Sequence, residues 1–313
     1  MQEEKVIIIN NIQALIKEIC EENNIKFNVI SNGWVIVLEK DHKVRTLAGY
    51  KFDLNKNGIS RVFDDKFATF ELLNSYKIPV IEYRLLYGYN NKEPYTKKYK
   101  SHDYLVKYFN KNNNDIVIKR NEGTCGENVF HITNIEELNS LYESIRDDDL
   151  SYSMSPFYII ENEYRTIVLD GKIRLIHKKN LPKVYGNGKS TIKELLIDFN
   201  PVFFKEIDVK DGDRVLESGE EYLYDWRFNL CNGAVASFDI DPLVKKNIEK
   251  IIKKITSSFD IKFCSIDIIK TKDSKYYVLE INSGVMMSNL LAENPEYKDI
   301  IKEIYKDAVM MQF

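Results

Sequence analysis

The sequence has 313 residues, of which 44% are hydrophobic and 30% charged, with a formal net charge of −3 and a pI of about 6.0. This composition is typical of a globular protein with two or three small domains, and it excludes disordered and fibrous chains. No basic tract indicates a nucleic-acid partner, and no apolar run is long enough to span a bilayer.

The first sixty residues predict a small unit of one helix and three strands. Apolar residues at helical spacing over 5–24 indicate an amphipathic helix, with a short opening strand as an alternative. Apolar runs separated by hairpin-like turns predict strands at 27–30, 34–38 and 44–48.

A second helix is predicted to begin at Lys66 and to end near Tyr76, with Asp64 or Asp65 as its N-cap. The elements expected after it are a strand beginning at 78–80, a surface loop over 88–103, a helix over 103–110, a strand over 116–119 and a helix over 134–147.

A glycine-containing loop follows the strand at 116–119. Gly123 and Gly126 allow the backbone to turn and to approach a ligand closely, and successive N–H groups in such a loop bind phosphate oxygens. Lys119 would bring a positive charge to the same phosphates. The motif is neither a Walker A loop nor GxGxxG. A hairpin turn with an exposed lysine is the commoner explanation, and the motif alone leaves both open.

Charged residues interrupt a predicted hairpin formed by strands at 157–169 and 172–177, which Asp170-Gly171 would join. A single charge in such a strand is more often exposed to solvent than bound to a ligand. Four charges around one hairpin favour an anionic ligand. They are Glu163, Arg165, Arg174 and Lys178.

The following segment begins with a glycine turn and a helix that Ser190 or Thr191 would cap. The stretch WRFNLCNGAVASFDI predicts a strand and turn, and it carries Arg227 and Asn229. Further helices are expected over 242–259 and 295–310.

Two acids and an amide mark the strands predicted at 263–269 and 276–281. Glu280 and Asn282 lie on one strand face, and a hairpin would bring Asp267 to the same place. Carboxylate and amide oxygens are hard ligands that suit Mg²⁺. A hairpin whose acids point to solvent is the alternative.

Taken in order, these motifs resemble those of ATP-grasp enzymes: DK before a helix, a strand ending in Lys before a glycine loop, ExR on a strand pair, an asparagine–glycine stretch, and D…ExN. The likeness runs from about Asp64 to Gly284. VYGNGKSTIKELL is similar to a piece of the ligase part of cyanophycin synthetase. WRFNLCNGA resembles the RxNL…GG stretch of RimK-type glutamate ligases.

The resemblance implies an α+β protein with the ATP-grasp fold, in which two α+β subdomains hold the nucleotide and a small α/β unit precedes them. The implied boundaries are 1–62 for this N-terminal unit, 63–153 for the first subdomain with a glycine flap, and 154–313 for the second subdomain with the metal site and a C-terminal helix.

The implied activity is that of an ATP-dependent carboxylate–amine ligase, which joins an amino acid or peptide carboxylate to an amine through an acyl phosphate. The implied cofactors are ATP and Mg²⁺, usually two ions, with Mn²⁺ as a substitute. Neither nucleic acid nor a membrane is an expected partner, and a homodimer is among the options. An ATP-grasp kinase and a non-catalytic nucleotide-binding protein remain alternatives.

The resemblance also implies roles for individual residues. The residues expected to contact ATP are Lys66, Lys119, Glu122, Gly123, Thr124, Gly126, Ser155, Phe157, Tyr158 and Glu163. Those expected to face the substrate and the reacting phosphate are Arg165, Lys178, Arg227 and Asn229. The implied Mg²⁺ ligands are Asp267, Glu280 and Asn282.

One departure from the family pattern affects the adenine linker. The stretch SPFYIIENEYR is compressed, so that only Glu161 or Glu163 is available for the ribose, and Glu163 also fits the ExR position.

The cysteines predict a reducing compartment. Four scattered cysteines without a CxxC indicate reduced thiols, and MQEEK lacks the features of a signal peptide, so the expected location is the cytoplasm. Cys125 in the flap is interpreted as a small loop residue, because no neighbouring base would activate it as a nucleophile.

Overall fold

The computed structural model describes residues 10–88, 99–123, 126 and 128–313. The helices of this part are α1 Asn11–Glu22, α2 Asn57–Asp64, α3 Lys66–Ser75, α4 His102–Lys111, α5 Ile135–Ile145, α6 Ile192–Phe199, α7 Pro201–Phe204, α8 Pro242–Ser258, α9 Ser288–Glu293 and α10 Lys298–Met310. The strands are β1 Lys26–Ile30, β2 Val35–Lys40, β3 Lys43–Ala48, β4 Lys51–Phe52, β5 Arg84–Tyr87, β6 Ile116–Arg120, β7 Val129–Ile132, β8 Ser151–Pro156, β9 Ile160–Leu169, β10 Lys172–Asn180, β11 Lys183–Tyr185, β12 Glu221–Leu223, β13 Val235–Ser237, β14 Phe263–Thr271 and β15 Tyr276–Asn282.

The chain divides into two compact units. The first unit comprises Met1–Ser60, Glu163–Ile266 and Asn282–Phe313, and the second comprises Arg61–Asn162 and Asp267–Ile281. The boundaries predicted at residues 62 and 153 stay predictions.

The first unit begins with α1 and a four-stranded antiparallel sheet in the order β1-β2-β3-β4. Asn10 and Gln13 form a capping box, in which each side chain accepts a hydrogen bond from the backbone N–H of the other residue. The apolar face of α1 packs into a core with this sheet, β9 and α10. Its buried residues include Ile12, Ile16, Ile19, Leu38, Leu47, Ile167, Leu169, Ile301 and Ile304.

A small two-stranded sheet, β11-β12, packs with α6 and α7 around its own core of Val184, Leu196 and Phe204. Thr191 caps α6 and Glu194 completes a capping box, so the predicted glycine turn and capped helix are confirmed, with Thr191 as the cap.

The second unit contains a four-stranded antiparallel sheet in the order β5-β8-β6-β7. Helices α4 and α5 pack on this sheet, and the core they form includes Leu105, Phe109, Ile116, Ile118, Leu138, Leu141 and Met154. The antiparallel register places Lys119 of β6 opposite Val129 of β7 and opposite Ser153 of β8.

A five-stranded sheet has the order β13-β10-β9-β14-β15. Strands β10 and β13 lie in the first unit, whereas β9, β14 and β15 each pass from one unit to the other along the chain. Asp170 and Gly171 both have positive φ values, as a tight β9–β10 hairpin turn requires.

Most predicted elements are confirmed within a few residues. Helix α3 begins at Lys66, and its cap is Asp65, whose carboxylate accepts the N–H of Ala68 at 2.7 Å. The strand predicted to begin at 78–80 is wrong: Val80 makes an isolated bridge and β5 begins only at Arg84. Pro79 accounts for the difference, because it cannot donate a ladder hydrogen bond.

Several elements were not predicted. They are α2, α7, α9, β4, β8, β11 and β12. The strand predicted from residue 157 begins at Ile160. Most of the loop predicted over 88–103 lies outside the described residues. The α+β class is confirmed, since helices pack on antiparallel sheets in both units. Within the described residues, no helix combines the length and hydrophobicity that a transmembrane span needs.

Candidate active site

Lys66 is the first residue of α3, and its side chain is almost completely buried. The ammonium donates hydrogen bonds to the carbonyl oxygens of Asn121 at 3.2 Å and Gly123 at 2.9 Å. It also lies 3.8 Å from Oε2 of Glu280 on β15. The second unit therefore brings one predicted phosphate-binding lysine together with the glycine loop and one predicted metal ligand.

The glycine loop leaves β6 through a tight turn. The Gly123 N–H donates to the Arg120 carbonyl at 3.4 Å, and a Cβ at Gly123 would lie 2.8 Å from the Arg120 Cβ. Gly126 has a φ of +70°, which favours glycine. Glu122 lies 3.4 Å from Arg61 in a largely exposed ion pair. The predicted flap residue Thr124 lies outside the described residues.

Lys119 lies in the same unit, with its ammonium 5.0 Å from the centre of the Tyr83 ring. This distance is within the range of a cation–π interaction. Tyr83 is itself buried, and its hydroxyl donates to the Leu279 carbonyl of β15 at 3.0 Å. The second predicted phosphate lysine is therefore positioned by an aromatic ring in the core.

The predicted adenine linker follows the end of β8. Ser155 is a buried residue of β8. The Phe157 ring stacks on His131, with the ring centres 3.9 Å apart. The Tyr158 hydroxyl accepts the N–H of Glu82 at 3.3 Å, and burial raises the pKa of this hydroxyl. Phe157 and Tyr158 thus have defined contacts, the first through its ring and the second through its hydroxyl.

The predicted metal ligands lie on two neighbouring strands, β14 and β15. Asp267 is 1% exposed, so the solvent-facing alternative is wrong for this acid, and the Glu280 side chain is 23% exposed. Asn282, the last residue of β15, belongs to the first unit. Among the described residues no group of three or more His, Cys, Asp or Glu could hold a metal ion. The two carboxylates of the second unit, Asp267 and Glu280, are oxygen donors of the kind that Mg²⁺ prefers, and Asn282 stays a predicted ligand.

Glu163 forms a buried ion pair in the first unit. Its Oε1 lies 2.5 Å from the Lys179 ammonium, and the two side chains are 7% and 5% exposed. The two residues face each other across β9 and β10. The predicted ATP contact is therefore paired with a lysine that the sequence analysis did not single out.

Arg165 and Lys178 lie on opposite faces of the same strand pair. The register places Arg165 opposite His177 and Lys178 opposite Tyr164. Side chains directly opposite each other share a face, and the face alternates along a strand. Arg165 thus shares its face with Glu163, whereas Lys178 does not.

Arg227 and Asn229 are held by local contacts in the first unit. The Arg227 guanidinium hydrogen-bonds both carboxylate oxygens of Asp225, with distances from 2.6 to 3.1 Å. This hydrogen bonding raises the pKa of Arg227 above its ordinary value. Oδ1 of Asn229 accepts the N–H of Cys231 at 2.9 Å and caps a short 3₁₀ turn.

Residues 212–304 match the family described as the RimK-like ATP-grasp domain. The structure also superposes on D-alanine–D-alanine ligase from Bacillus anthracis with a TM-score of 0.51 and 14% sequence identity, covering 80% of this chain and 68% of that one. Residues 212–304 are thus similar to an ATP-grasp domain, and the chain shares the fold of this ligase. The predicted ATP-grasp fold is thereby confirmed.

Two further similarities cover smaller shares of the proteins concerned. A cyanophycin synthetase from Trichormus variabilis is 34% identical over 86 residues, which are 27% of this chain and 9% of that protein. A bifunctional glutathione synthetase from Pasteurella multocida superposes with a TM-score of 0.48 and 15% identity, covering 91% of this chain and 43% of that one. The match thus spans less than a tenth of the curated relative.

Three residues of the candidate site were missed by sequence reasoning: Asn121, Lys179 and Asp225. For Lys179 there was no signal, because a regular hairpin through Asp170-Gly171 would place Lys178 opposite Glu163. The register shift between Ile173 and Leu175 puts Lys179 there instead. For Asn121 there was none, since an asparagine after a strand is typical of an ordinary loop.

Proposed function

We propose that the protein is an ATP-dependent carboxylate–amine ligase, which joins an amino acid or peptide carboxylate to an amine and releases ADP and phosphate. The observation that carries this proposal is the position of the Lys66 ammonium, which lies between the carbonyl of Gly123 and the carboxylate of Glu280. A lysine between a glycine loop and an acid suits a site for a metal–nucleotide complex.

The nucleotide phosphates would be held by Lys66, Lys119 and the N–H groups of the glycine loop. Oxygens of Asp267, Glu280 and Asn282 would hold Mg²⁺, which, when bound, neutralises phosphate charge and orients the transferred group. Asp267 and Glu280 lie on the neighbouring strands β14 and β15, which supports this assignment because carboxylate oxygens are the ligands that Mg²⁺ prefers.

The substrate carboxylate attacks the terminal phosphorus of ATP, ADP leaves, and an acyl phosphate forms. The amine then attacks the acyl carbon, phosphate leaves, and the amine loses a proton. Arg165, Lys178 and Arg227 are proposed to stabilise the negative charge that develops on oxygen, and Asn229 to orient the substrate. The structure gives more support to the role of Arg227 than to those of the other two, because hydrogen bonds to Asp225 hold its guanidinium in place without a ligand.

The substrate class is proposed from the match to the RimK-like domain and to cyanophycin synthetase. We propose a small-molecule or peptide carboxylate with an amine as its partner. The cytoplasm is the proposed location, which the thiol state of the described cysteines Cys20, Cys231 and Cys264 supports.

The test is Mg²⁺-dependent ADP release with amino acids and dipeptides added in pools. Glu280→Gln keeps the shape of the side chain and removes one charge beside Lys66. Glu249→Gln makes the same change on an exposed position of α8 and serves as the control. We expect release that requires an added substrate in the wild type and in Glu249→Gln, and its loss in Glu280→Gln.

Mass spectrometry of the same mixtures separates the chemical outcomes. A condensed product with one phosphate per ADP supports the ligase. A stable phosphorylated product without condensation would identify a kinase. Nucleotide binding without turnover in any pool would contradict the proposal in favour of a non-catalytic protein.

A further inference from the structure

Asn121 is the first residue after β6, and it is only 2% exposed. A buried amide side chain is costly unless its polar atoms are hydrogen-bonded. Its contacts therefore indicate what the residue does in the fold.

The side chain of Asn121 connects α3 to β8. Its Oδ1 accepts the backbone N–H of Phe67 at 3.1 Å and the hydroxyl of Ser153 at 2.5 Å. Phe67 is the second residue of α3, so Asn121 satisfies one of the N–H groups that the start of a helix leaves unpaired. Ser153 is a fully buried residue of β8.

The backbone of Asn121 connects the same elements. Its carbonyl accepts two hydrogen bonds from Lys66, one from the backbone N–H at 3.3 Å and one from the ammonium at 3.2 Å. Its own N–H donates to the Ser151 carbonyl of β8 at 2.9 Å. One buried residue thus ties together the start of α3, strand β8 and the residues that lead into the glycine loop.

These contacts determine where the Lys66 ammonium lies. Lys66 extends from the first turn of α3, which Asn121 holds through Phe67. The second carbonyl that the ammonium reaches, that of Gly123, lies two residues after Asn121. We propose that Asn121 is a positioning residue of the nucleotide site, which keeps the Lys66 ammonium aligned with the glycine loop for the phosphates of ADP and ATP. This inference rests on the proposed function.

A purely structural role for Asn121 makes a different prediction. Loss of a buried structural residue would lower the stability of the unit and would weaken the binding of every ligand by the same factor. A positioning role, which acts through Lys66, affects contacts with phosphate and leaves contacts with the adenine and ribose unchanged. Comparing ADP with adenosine separates the two roles.

The experiment measures the Kd of Mg²⁺·ADP by calorimetry and that of adenosine by ligand-observed NMR. The variant is Asn121→Ala. The matched control is Asn134→Ala, because Asn134 lies in the same unit and its side chain also accepts a helical N–H, that of Glu137 at 2.9 Å. Both variants lose a cap-like hydrogen bond, but Asn134 is exposed, whereas Asn121→Ala also removes the acceptor of the buried Ser153 hydroxyl. The larger loss of Tm is therefore expected for Asn121→Ala.

We expect Asn121→Ala to raise the Kd of Mg²⁺·ADP about tenfold, because one charged hydrogen bond to the phosphates would lose its alignment. The affinity for adenosine should stay within about twofold, and Asn134→Ala should change neither affinity. Unchanged ADP binding in Asn121→Ala, or an equal loss for ADP and adenosine, would overturn the inference. A wild type that binds neither ligand would instead contradict the proposed function.

A second variant decides the matter if Asn121→Ala does not fold. Ser153→Ala keeps Asn121 and removes one of the two donors to its Oδ1. Its control is Ser144→Ala, which removes a hydroxyl that donates to the Leu141 carbonyl within α5. A selective loss of ADP affinity of about threefold in Ser153→Ala supports the inference. Equal ADP affinity in Ser153→Ala and Ser144→Ala overturns it.

Discussion

The Lys179 ammonium lies 2.5 Å from Oε1 of Glu163, and both side chains are almost completely buried. The pair sits on the face of the β9–β10 strands that also carries Arg165. Removing a charge from water is costly, and the attraction between the partners offsets this cost only while both are present. Glu163 is thus tied to a structural partner as well as to its proposed nucleotide contact.

Lys179→Met should therefore destabilise the protein by about 3 kcal/mol, since it leaves the Glu163 carboxylate buried without its ammonium. Urea unfolding measures the change. Lys26 and Glu39 form a matched control, because their 2.9 Å pair also crosses two strands but is exposed. Lys26→Met should cost less than about 1 kcal/mol. Equal losses in the two variants would show that burial of the Glu163 pair carries no extra cost.

Asp267→Asn should raise the Mg²⁺ concentration that half-saturates ADP binding by about tenfold, because an amide neutralises a divalent ion less well than a carboxylate. Nucleotide binding titrated with Mg²⁺ measures this. Asp273→Asn is the control, since Asp273 lies in the turn between the same two strands and pairs with Lys275 at 2.7 Å. An unaltered Mg²⁺ requirement in Asp267→Asn would remove this residue from the proposed ligands.

Glu293 predicts a dependence of stability on pH. Burial raises its pKa from 4.5 to about 7. Asn200 hydrogen-bonds Oε1 at 3.2 Å, while the buried Oε2 has no hydrogen-bond partner among the described residues. The folded state thus binds the proton more tightly than the unfolded state. The stability from this group is complete below pH 4.5 and is lost as the pH rises towards about 7.

Glu293→Gln should reduce the difference between the free energies of unfolding at pH 5 and pH 8 by about 2 kcal/mol, because the amide carries no charge at any pH. The free energy of unfolding at pH 5 and pH 8 measures it. The exposed Glu249→Gln on α8 should follow the wild type at both pH values. A Glu293→Gln profile that parallels the wild type would contradict the assignment.

Gly233→Ala should destabilise the first unit by about 2 kcal/mol or more. Gly233 has a φ of +88°, and an added Cβ would lie 2.7 Å from Cζ of Phe204 in the core. Gly58→Ala in α2 is the control, because a Cβ there meets no atom within 4 Å. The control should be neutral or slightly stabilising. Thermal unfolding compares the two, and similar Tm values would refute the steric argument.

Much of the fold follows from local patterns. The β14–β15 hairpin was predictable because two apolar runs flank a polar turn, and α3 because Asp65 supplies an N-cap directly before Lys66. Strand β8 was not predictable from SYSMSP, which is half serine and becomes a strand through its pairing with β5 and β6.

Site residues could be predicted where they lie together on one strand or loop. Contacts between segments that are distant in the sequence could not be predicted. The Glu280 and Asn282 pair follows from alternation along β15. The bond from Phe67 to Asn121 spans 54 residues, and no sequence pattern marks it. Arg165 and Lys178 lie on opposite faces because the register of β9 and β10 shifts between Ile173 and Leu175, and no sequence pattern marks this shift.

The burial of two thiols has a practical consequence for labelling. Burial raises the pKa of Cys20 to about 12 and raises that of Cys264 as well, so neither supplies much thiolate at neutral pH. Cys231 is only half-buried and lies in the turn between Asn229 and Gly233. Among the described cysteines, a maleimide fluorophore would react first at Cys231, and its emission would report on the surroundings of Asn229 as substrates are added.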